Sequence, residues 1–243
     1  MLDFNPQRGC ETEVTALIDA GLQQQRATDP PRTYLGASRL GVACARALQY
    51  EYAATPVDHG RAHDGRLLRI FTRGHVMETC MAQWLRQAGF LLQTEQADGT
   101  QYGFSALEGR LQGHIDGVIV AGPEGFAYPM LWENKCVGAK TFRAFQQHPL
   151  AVSHPVYAGQ IALYQAYMDL HAHPALFTAL NADTMEIYAE RVAFDAVLAQ
   201  RLSDRALSII TATQAGEQLP RTFSDPTHFE CRLCAWQDRC WRH

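Results

Sequence analysis

Hydrophobic residues along the chain follow two periods, which together predict a mixed α/β fold. Apolar side chains recur at helical spacing within 14–22, 66–89 and 194–212, and further helices are expected at 140–147 and 155–170. Short apolar runs bounded by Gly, Pro or Asn predict strands at 90–95, 102–107, 115–121, 130–132, 176–181 and 185–192. We therefore expect a central mixed sheet flanked by helices.

Local signals place two helix ends and one domain boundary. Ser38 is expected to cap a helix that runs to about Tyr52 and contains Cys44. Gly89 stands where the C-terminal end of a helix favours glycine. Residues 1–33, which end in an Asp-Pro-Pro connector, are expected to be peripheral to a single domain at 34–243.

Three charged side chains are predicted to meet between two neighbouring strands. The segment from Gly113 to Lys135 reads GHIDGVIVAGPEGFAYPMLWENK, two apolar runs joined by a loop rich in Gly and Pro. Glu133 and Lys135 are two residues apart and therefore point to the same face of a strand. If Asp116 pairs near Glu133, two carboxylates and one ammonium converge, which suits Mg²⁺ or Mn²⁺. The alternative is a surface hairpin with a solvated Glu–Lys pair.

The composition favours a soluble intracellular protein and no particular partner. The 243 residues are 47% apolar, which is enough for one large domain. No apolar run reaches transmembrane length and no signal peptide opens the chain, so we expect a cytoplasmic protein without membrane association. A net charge of −4 does not point to a nucleic-acid binder, but local patches matter more than the total.

The helix expected at 66–89 carries a carboxylate among apolar neighbours. Glu78 would be costly there unless it is paired or bound to a cation, so we weigh a metal ligand against a surface residue at the helix edge. Arg66, Arg69 and Arg73 recur at helical spacing on the same helix. They predict either a basic stripe for phosphates or a solvated face.

Two polar residues of the helix expected at 155–170 share one face. Gln160 and Tyr164 are one turn apart. A Gln amide can bind a phosphate, a base edge or a metal-bound water, and a Tyr ring can stack on a base. Ordinary amphipathic packing is the alternative, and we expect it for Tyr157 and Tyr167.

Three of the seven cysteines fall within ten residues near the end of the sequence, spaced C-x2-C-x5-C. In an intracellular protein this density indicates metal binding rather than disulfides. Three thiolates need a fourth ligand, for which His228, His243 and a remote Cys are candidates. Four Cys suit an iron–sulfur cluster, and three Cys with one His suit structural Zn²⁺. The clustered residues are Cys231, Cys234 and Cys240.

The order of these motifs resembles the RecB-type branch of the PD-(D/E)XK nucleases, and more closely its iron–sulfur exonucleases. In order, the chain has Ser-x-Leu followed by Cys-x-Arg, a Gly-x3-acid helix, Asp and Glu-x-Lys strands, Gln-x3-Tyr and C-x2-C-x5-C. Similar proteins include CRISPR-associated RecB-like exonucleases, AddB-type nuclease domains and phage exonucleases. The resemblance covers residues 34–241 and implies a restriction-endonuclease-like core with an iron–sulfur lid formed by both ends of the chain.

The resemblance also implies a role for each residue of the nuclease motifs. The carboxylates of Glu78, Asp116 and Glu133, with the backbone carbonyl of Asn134, would hold Mg²⁺ or Mn²⁺, and Lys135 would be the catalytic lysine.

The resemblance also implies roles for residues of the two helices expected at 155–170 and 66–89. Gln160 and Tyr164 would position the DNA strand. Many related proteins have His where this chain has Glu78, so His75, one turn earlier, is a second candidate ligand.

The cysteines are implied to hold a 4Fe–4S cluster, with one Cys before the nuclease core and three after it. Cys44 fits the upstream position, although Ala45 replaces the Pro that usually follows. Cys10, Cys80 and Cys136 fit none of the four positions and would be ordinary thiols.

The resulting hypothesis is a metal-dependent DNA exonuclease. It would act on single-stranded ends in recombination, repair, phage DNA processing or CRISPR adaptation, with recombination or CRISPR-adaptation proteins as candidate partners. One alternative is a nucleic-acid-binding module with structural Zn²⁺ and a vestigial active site. The other is a nuclease subunit that is active only within a larger complex.

Overall fold

A computed structural model describes residues 7–30 and 32–242, with the backbone alone for residues 7–9. Its helices are α1 Gln7–Ala27, α2 Ala45–Tyr52, α3 Gly65–Gln87, α4 Ala139–Gln147, α5 Leu150–Ser153, α6 Pro155–Tyr167, α7 Ala196–Gln214, α8 Phe229–Arg232 and α9 Gln237–Trp241. Its strands are β1 Leu35–Gly36, β2 Leu91–Gln93, β3 Gly103–Ala106, β4 Leu111–His114, β5 Gly117–Ala121, β6 Met130–Val137, β7 Ala175–Asn181 and β8 Ile187–Val192. The predicted α/β class is confirmed.

The described strands form two mixed sheets rather than the single central sheet that was expected. The larger sheet has the order β2-β5-β6-β7-β8, in which only β6 and β7 are parallel. The smaller has the order β1-β4-β3, with β1 parallel and β3 antiparallel to β4. The flanking helices and mixed pairing agree with the prediction, but the number of sheets does not.

The two sheets separate within the run predicted as one strand at 115–121. The N–H of Ile115 still donates to the Tyr102 carbonyl beside the smaller sheet, whereas Gly117 already pairs with Trp132 in the larger one. Asp116 therefore lies at the point where the chain passes from one sheet to the other. Because its neighbours along the chain are apolar, the sequence pattern does not indicate where one sheet ends and the other begins.

Helices cover both faces of the larger sheet. On the α3 side, Met81 packs with a core that includes Ile119 and Trp132. On the other side, helices α4, α6 and α7 pack with a second core that includes Leu131. Successive residues of a strand point to opposite faces, so Glu133 faces α6, as Leu131 does, while Trp132 faces α3.

The helix predicted from Ser38 to Tyr52 is interrupted. Ser38 lies in a 3₁₀ turn at Ala37–Arg39 and makes no capping hydrogen bond, and Cys44 is the N-cap of α2 instead of a residue inside a helix. The guanidinium of Arg205 takes two carbonyls that a continuous helix would use, those of Leu40 at 3.0 Å and Ala43 at 2.8 Å.

Close packing against α6 fixes the same interruption. A Cβ atom at Gly41 would lie 2.7 Å from the Cα of Val156, closer than such atoms approach. A side chain there would therefore push the segment away from α6, and glycine is the residue that this contact allows.

Helix α3 is close to its prediction, with capping at both ends. The Asp64 side chain accepts from the Leu67 N–H at 2.7 Å, and Gly89 follows the helix with φ at +92°. Of the predicted basic stripe on this helix, Arg69 forms an ion pair with Asp19 of α1. The three arginines therefore do not form one open phosphate-binding stripe.

The predicted amphipathic helix near the N-terminus is confirmed as α1, which contacts α3. Its side chains Val14, Leu17 and Ile18 are exposed. The expected connector ends at Pro31, which lies outside the described residues. Within residues 7–30 and 32–242, no helix combines the length and apolar character needed to cross a bilayer.

Candidate functional site

A cleft of about 1070 Å³ opens between α3, α6, the end of β6 and the smaller sheet. Six side chains predicted for the active site line it from four separate parts of the sequence. They are Glu78, Asp116, Glu133, Lys135, Gln160 and Tyr164. The fold therefore brings together residues that the motifs singled out one by one.

Glu133 is the most enclosed of these residues, with none of its surface exposed. Its Oε1 accepts hydrogen bonds from Lys135 Nζ and from Gln160 Nε2, the latter at 2.7 Å. Its Oε2 is buried and has no hydrogen-bond partner within the described ranges. Because an unpaired buried carboxylate oxygen is costly, this atom is left in a position that an electropositive group would stabilise.

Asp116 is held beside Glu133 by the backbone of β6. Its Oδ2 accepts from the Asn134 N–H at 2.7 Å. The side chain of Asn134 is fixed on the opposite side, where its Oδ1 accepts from Thr178 at 2.9 Å. The predicted meeting of Asp116 with Glu133 and Lys135 is thus observed, and it depends on the backbone of Asn134.

The three carboxyl groups perturb one another. Burial, and then the Asp116 charge, raise the pKa of Glu133 to about 8. Burial and the same charge raise the pKa of Glu78 to about 7, and burial raises the pKa of Asp116. Near neutral pH Glu133 and Glu78 therefore hold protons for part of the time, so the cluster does not carry three full charges.

Lys135 stays protonated in this environment. Burial alone would lower the pKa of its ammonium group, but the carboxylates of Glu133 and Asp116 outweigh burial and raise it. The ring of Tyr157 lies against the ammonium, with 5.4 Å between Nζ and the ring centroid. Lys135 therefore donates a hydrogen bond to Glu133 in this arrangement.

Glu78 and His75 are both brought to the cleft by α3, but they differ in exposure. The side chain of His75 is 84% exposed and that of Glu78 is 32% exposed, and their closest atoms, Nδ1 and Oε2, are 4.0 Å apart. Glu78 contributes to the raised pKa of Glu133, whereas the His75 charge acts in the lowering direction on the pKa of Asp116. Glu78 is therefore the more enclosed of the two residues, and it is the third carboxyl group of the cluster.

Helix α6 supplies the polar wall of the cleft. Gln160 and Tyr164 are both buried, and burial raises the pKa of Tyr164 so that its hydroxyl remains protonated. A Cβ atom at Gly113 would lie 2.5 Å from Tyr164 Cε1, so the glycine allows the ring to approach β4. Gln160 is already bonded to Glu133, and its first role is therefore to hold that carboxylate.

Several residues that line the cleft were missed by the sequence analysis. Tyr157 was expected only to pack, although its position three residues before Gln160 is a signal that could have placed it on the same face. Arg32, Arg39 and Arg86 also line the cleft. They come from distant parts of the chain, and no local pattern indicates that they converge.

The carboxylate oxygens at and around Glu133 are of the ligand type that a hard divalent cation prefers. Carboxylate oxygens are the ligands that Mg²⁺ and Mn²⁺ prefer, and a cation would compensate the unpaired Oε2. In the part of the chain that the structure describes, no three His, Cys, Asp or Glu side chains are already arranged as a metal site. The carboxylates would therefore have to move together around an ion.

The four cysteines assigned to a cluster lie in the same region, although no three of them are already arranged as a metal site within the described residues. After burial and local hydrogen bonds, the Cys44 and Cys240 thiols contribute to the raised pKa of both Cys231 and Cys234. Such effects require proximity, so the remote Cys44 lies near the three C-terminal thiols. All four are free cysteines.

Hydrogen bonds tie this C-terminal segment to α2 and the loop that follows it. The Trp236 Nε1 donates to the Thr55 carbonyl at 2.9 Å, and the Asp58 N–H donates to the Ala235 carbonyl at 2.9 Å. A guanidinium N–H of Arg46 points at Cys240 Sγ, 3.7 Å away. Of the other candidate ligands, His228 stacks on Phe223, and His243 lies outside the described residues.

Comparison with known proteins identifies the fold but no family. No protein-family model matches the chain, and no curated protein matches its sequence significantly. Among solved structures, the chain is similar to the protein SSO0001, with 15% identity over 96% of this chain and 97% of that one and a TM-score of 0.52.

A second similar structure is an alkaline exonuclease, LHK-Exo from Laribacter hongkongensis. The identity is 14% over 76% of this chain and 90% of that one, with a TM-score of 0.54. A structure of LHK-Exo in complex with dAMP gives 14% identity over 83% and 94% of the two chains and a TM-score of 0.51. The chain therefore shares its fold with proteins that include a nuclease, which agrees with the core implied by the motifs.

Proposed function

We propose that the chain is a metal-dependent DNA exonuclease that acts on single-stranded ends. The observation that carries the proposal is the buried Oε2 of Glu133, which has no hydrogen-bond partner among the residues that the structure describes. It is set among two further carboxyl groups and a protonated lysine at a large cleft. The similarity in fold to LHK-Exo, which has been solved with dAMP, supports DNA as the substrate class.

Each side chain has a part in phosphodiester hydrolysis. When bound by Glu78, Asp116 and Glu133, Mg²⁺ or Mn²⁺ supplies charge neutralisation at the phosphate and a water of lowered pKa. Lys135 donates hydrogen bonds toward the charge that develops on the phosphate. Gln160 keeps Glu133 oriented, and the protonated Tyr164 offers a further donor to the strand.

For the cysteines we propose a 4Fe–4S cluster held by Cys44, Cys231, Cys234 and Cys240. Four thiols that are close enough to affect one another's pKa match the number and type of its ligands, and they would have to move together to bind it. The role is structural, because the cluster would join the start of α2 to the C-terminal segment. Zn²⁺ bound to four Cys is the alternative, and it is colourless, whereas a 4Fe–4S protein is brown.

The test is a cleavage assay on end-labelled single- and double-stranded DNA after anaerobic purification, with Mg²⁺, Mn²⁺ or EDTA. An exonuclease of this type releases short products from single-stranded ends with either metal and none in EDTA. Binding of DNA without cleavage would point to a vestigial site. Cleavage that requires added recombination or CRISPR-adaptation proteins would point to a subunit of a larger complex.

Glu78 and His75 should differ sharply in their contribution to cleavage. We expect Glu78→Gln to lower the rate by about 100-fold, since it removes an oxygen ligand beside Glu133. His75→Ala should keep the rate within about threefold, because its side chain is mostly exposed. Titration of Mn²⁺ against both variants measures this, and the reverse order would make His75 the ligand.

Metal affinity should rise with pH up to about 8. Glu133 and Glu78 bind protons below about pH 8 and 7, and a cation must displace those protons. Their raised pKa values therefore weaken binding as the pH falls, by about tenfold per unit for each proton released. Calorimetric titration of Mn²⁺ between pH 6 and 9 checks this, and an affinity independent of pH would contradict it.

A further inference from the structure

Phe71 is an exposed aromatic side chain on the helix that carries Glu78. It lies on α3 and 45% of its surface is exposed, although a phenylalanine of a helix that packs on a sheet is usually buried. The nearby hydrophobic cores do not include it. Its exposed face is therefore available to a ligand.

Phe71 lies on the same face of α3 as two residues that line the cleft. Phe71, His75 and Glu78 are spaced i, i+4 and i+7 and so share one face of α3. His75 and Glu78 line the cleft, and Phe71 lies on the same face of the helix two turns before Glu78. Seven residues at a rise of about 1.5 Å place it about 10 Å from Glu78 along the axis.

The ring of Phe71 contacts the ring of His63. His63 meets it edge-on, with ring centroids 5.4 Å apart and an angle of 77° between the planes. The His63 carbonyl in turn accepts a hydrogen bond from Gln23 of α1 at 3.5 Å. The aromatic surface is thus oriented by the protein while much of it remains open to solvent.

We propose that Phe71 stacks on an unpaired base of the DNA strand that leaves the cleft along α3. An oriented, exposed aromatic ring is the feature that single-strand-binding proteins use, because every base offers a face for stacking. A distance of about 10 Å corresponds to about three stacked nucleotides at ~3.4 Å each. The base must be unpaired to present that face, so the substrate is single-stranded on this side of the site.

The proposal rests on the proposed nuclease function, but it is tested by binding and not by cleavage. The affinity of a fluorescent single-stranded DNA is measured in EDTA for the wild type, Phe71→Ala and Phe71→Trp. The matched control is Val76→Ala, because Val76 is 50% exposed on the same helix but points about 140° away around its axis.

We expect Phe71→Ala to weaken binding about tenfold, Phe71→Trp to restore it, and Val76→Ala to leave it unchanged. Blunt duplex DNA, which offers no unpaired base, should bind equally to the wild type and Phe71→Ala. Unchanged binding of single strands by Phe71→Ala would overturn the proposal.

A scan of abasic sites separates stacking from a general loss of structure. In the wild type, one position within a few nucleotides of the scissile phosphate should lower affinity about tenfold when its base is removed. Phe71→Ala should bind this abasic strand about as tightly as the intact strand, because the ring that would stack on the missing base is already absent. An equal penalty in both proteins would overturn the proposal.

The outcome also distinguishes this proposal from the function on which it rests. If the wild type neither binds nor cleaves DNA, the nuclease assignment fails and Phe71 has no such role. If the wild type cleaves DNA with Mn²⁺ but Phe71→Ala binds single strands normally, only the stacking role fails.

Discussion

Replacement of Asp116 by Asn, or of Glu133 by Gln, should lower the rate of DNA cleavage by about 1,000-fold or more. Each change keeps the shape of the side chain and removes the charge that would hold the metal. In Asp116→Asn the new amide oxygen can still accept a hydrogen bond from the Asn134 N–H, so the backbone of β6 should keep its position. Single-turnover cleavage of end-labelled single-stranded DNA with Mn²⁺ measures the effect.

The control for this prediction is Asp183→Asn. Asp183 also accepts from a backbone N–H close to β6, that of Ala139 at 3.3 Å, but it does not line the cleft. Its replacement should leave the cleavage rate within about twofold. If Asp116→Asn or Glu133→Gln cleaves DNA at nearly the wild-type rate while folded, the carboxylate site is assigned wrongly.

The second large effect is expected at Cys44. Cys44→Ala should remove most of the iron and the brown colour, because three remaining thiolates leave one iron of a 4Fe–4S cluster without a protein ligand. The C-terminal segment should then be cut more readily by protease, since the cluster would no longer hold it to α2. Iron analysis, absorption spectra and limited proteolysis after anaerobic purification measure the three changes.

Cys80→Ala and Cys136→Ala are the matched controls, as both are partly buried free cysteines elsewhere in the chain. They should keep their full iron content. The hydrogen bonds from Trp236 and Asp58 remain in Cys44→Ala, so we expect local loosening instead of global unfolding. A Cys44→Ala protein that still binds four irons would exclude Cys44 as a ligand.

Those parts of the site that depend on local periodicity could be predicted from sequence. Glu133 and Lys135 share a face because a strand repeats every two residues, and the bond between them is observed. Gln160 and Tyr164 share a face because a helix brings residues four apart together. Both line the same cleft in the structure.

Other features depend on long-range contacts that leave little trace in the sequence. The helix expected from Ser38 is broken because Arg205, more than 160 residues away, takes the carbonyls of Leu40 and Ala43. The division into two sheets at Asp116 falls within a continuous apolar run. Where tertiary hydrogen bonds compete with local propensity, the sequence pattern alone gives the wrong boundary.

The approach of Cys44 to the C-terminal thiols was expected only from the resemblance in motif order. No periodicity links positions nearly 200 residues apart, and Cys44 turns out to be a helix cap. The fold nevertheless places it where its thiol influences those of Cys231 and Cys234. The arginines of the cleft, such as Arg39, converge in the same long-range way.

The most direct test of the metal-dependent site is anomalous diffraction from crystals of the protein grown with Mn²⁺. We expect an anomalous peak between the carboxylates of Glu78, Asp116 and Glu133, with Glu133 Oε2 turned toward it. The same experiment on Glu133→Gln should show no peak there. A wild-type crystal in which Mn²⁺ binds elsewhere, or does not bind at millimolar concentration, would contradict the central claim.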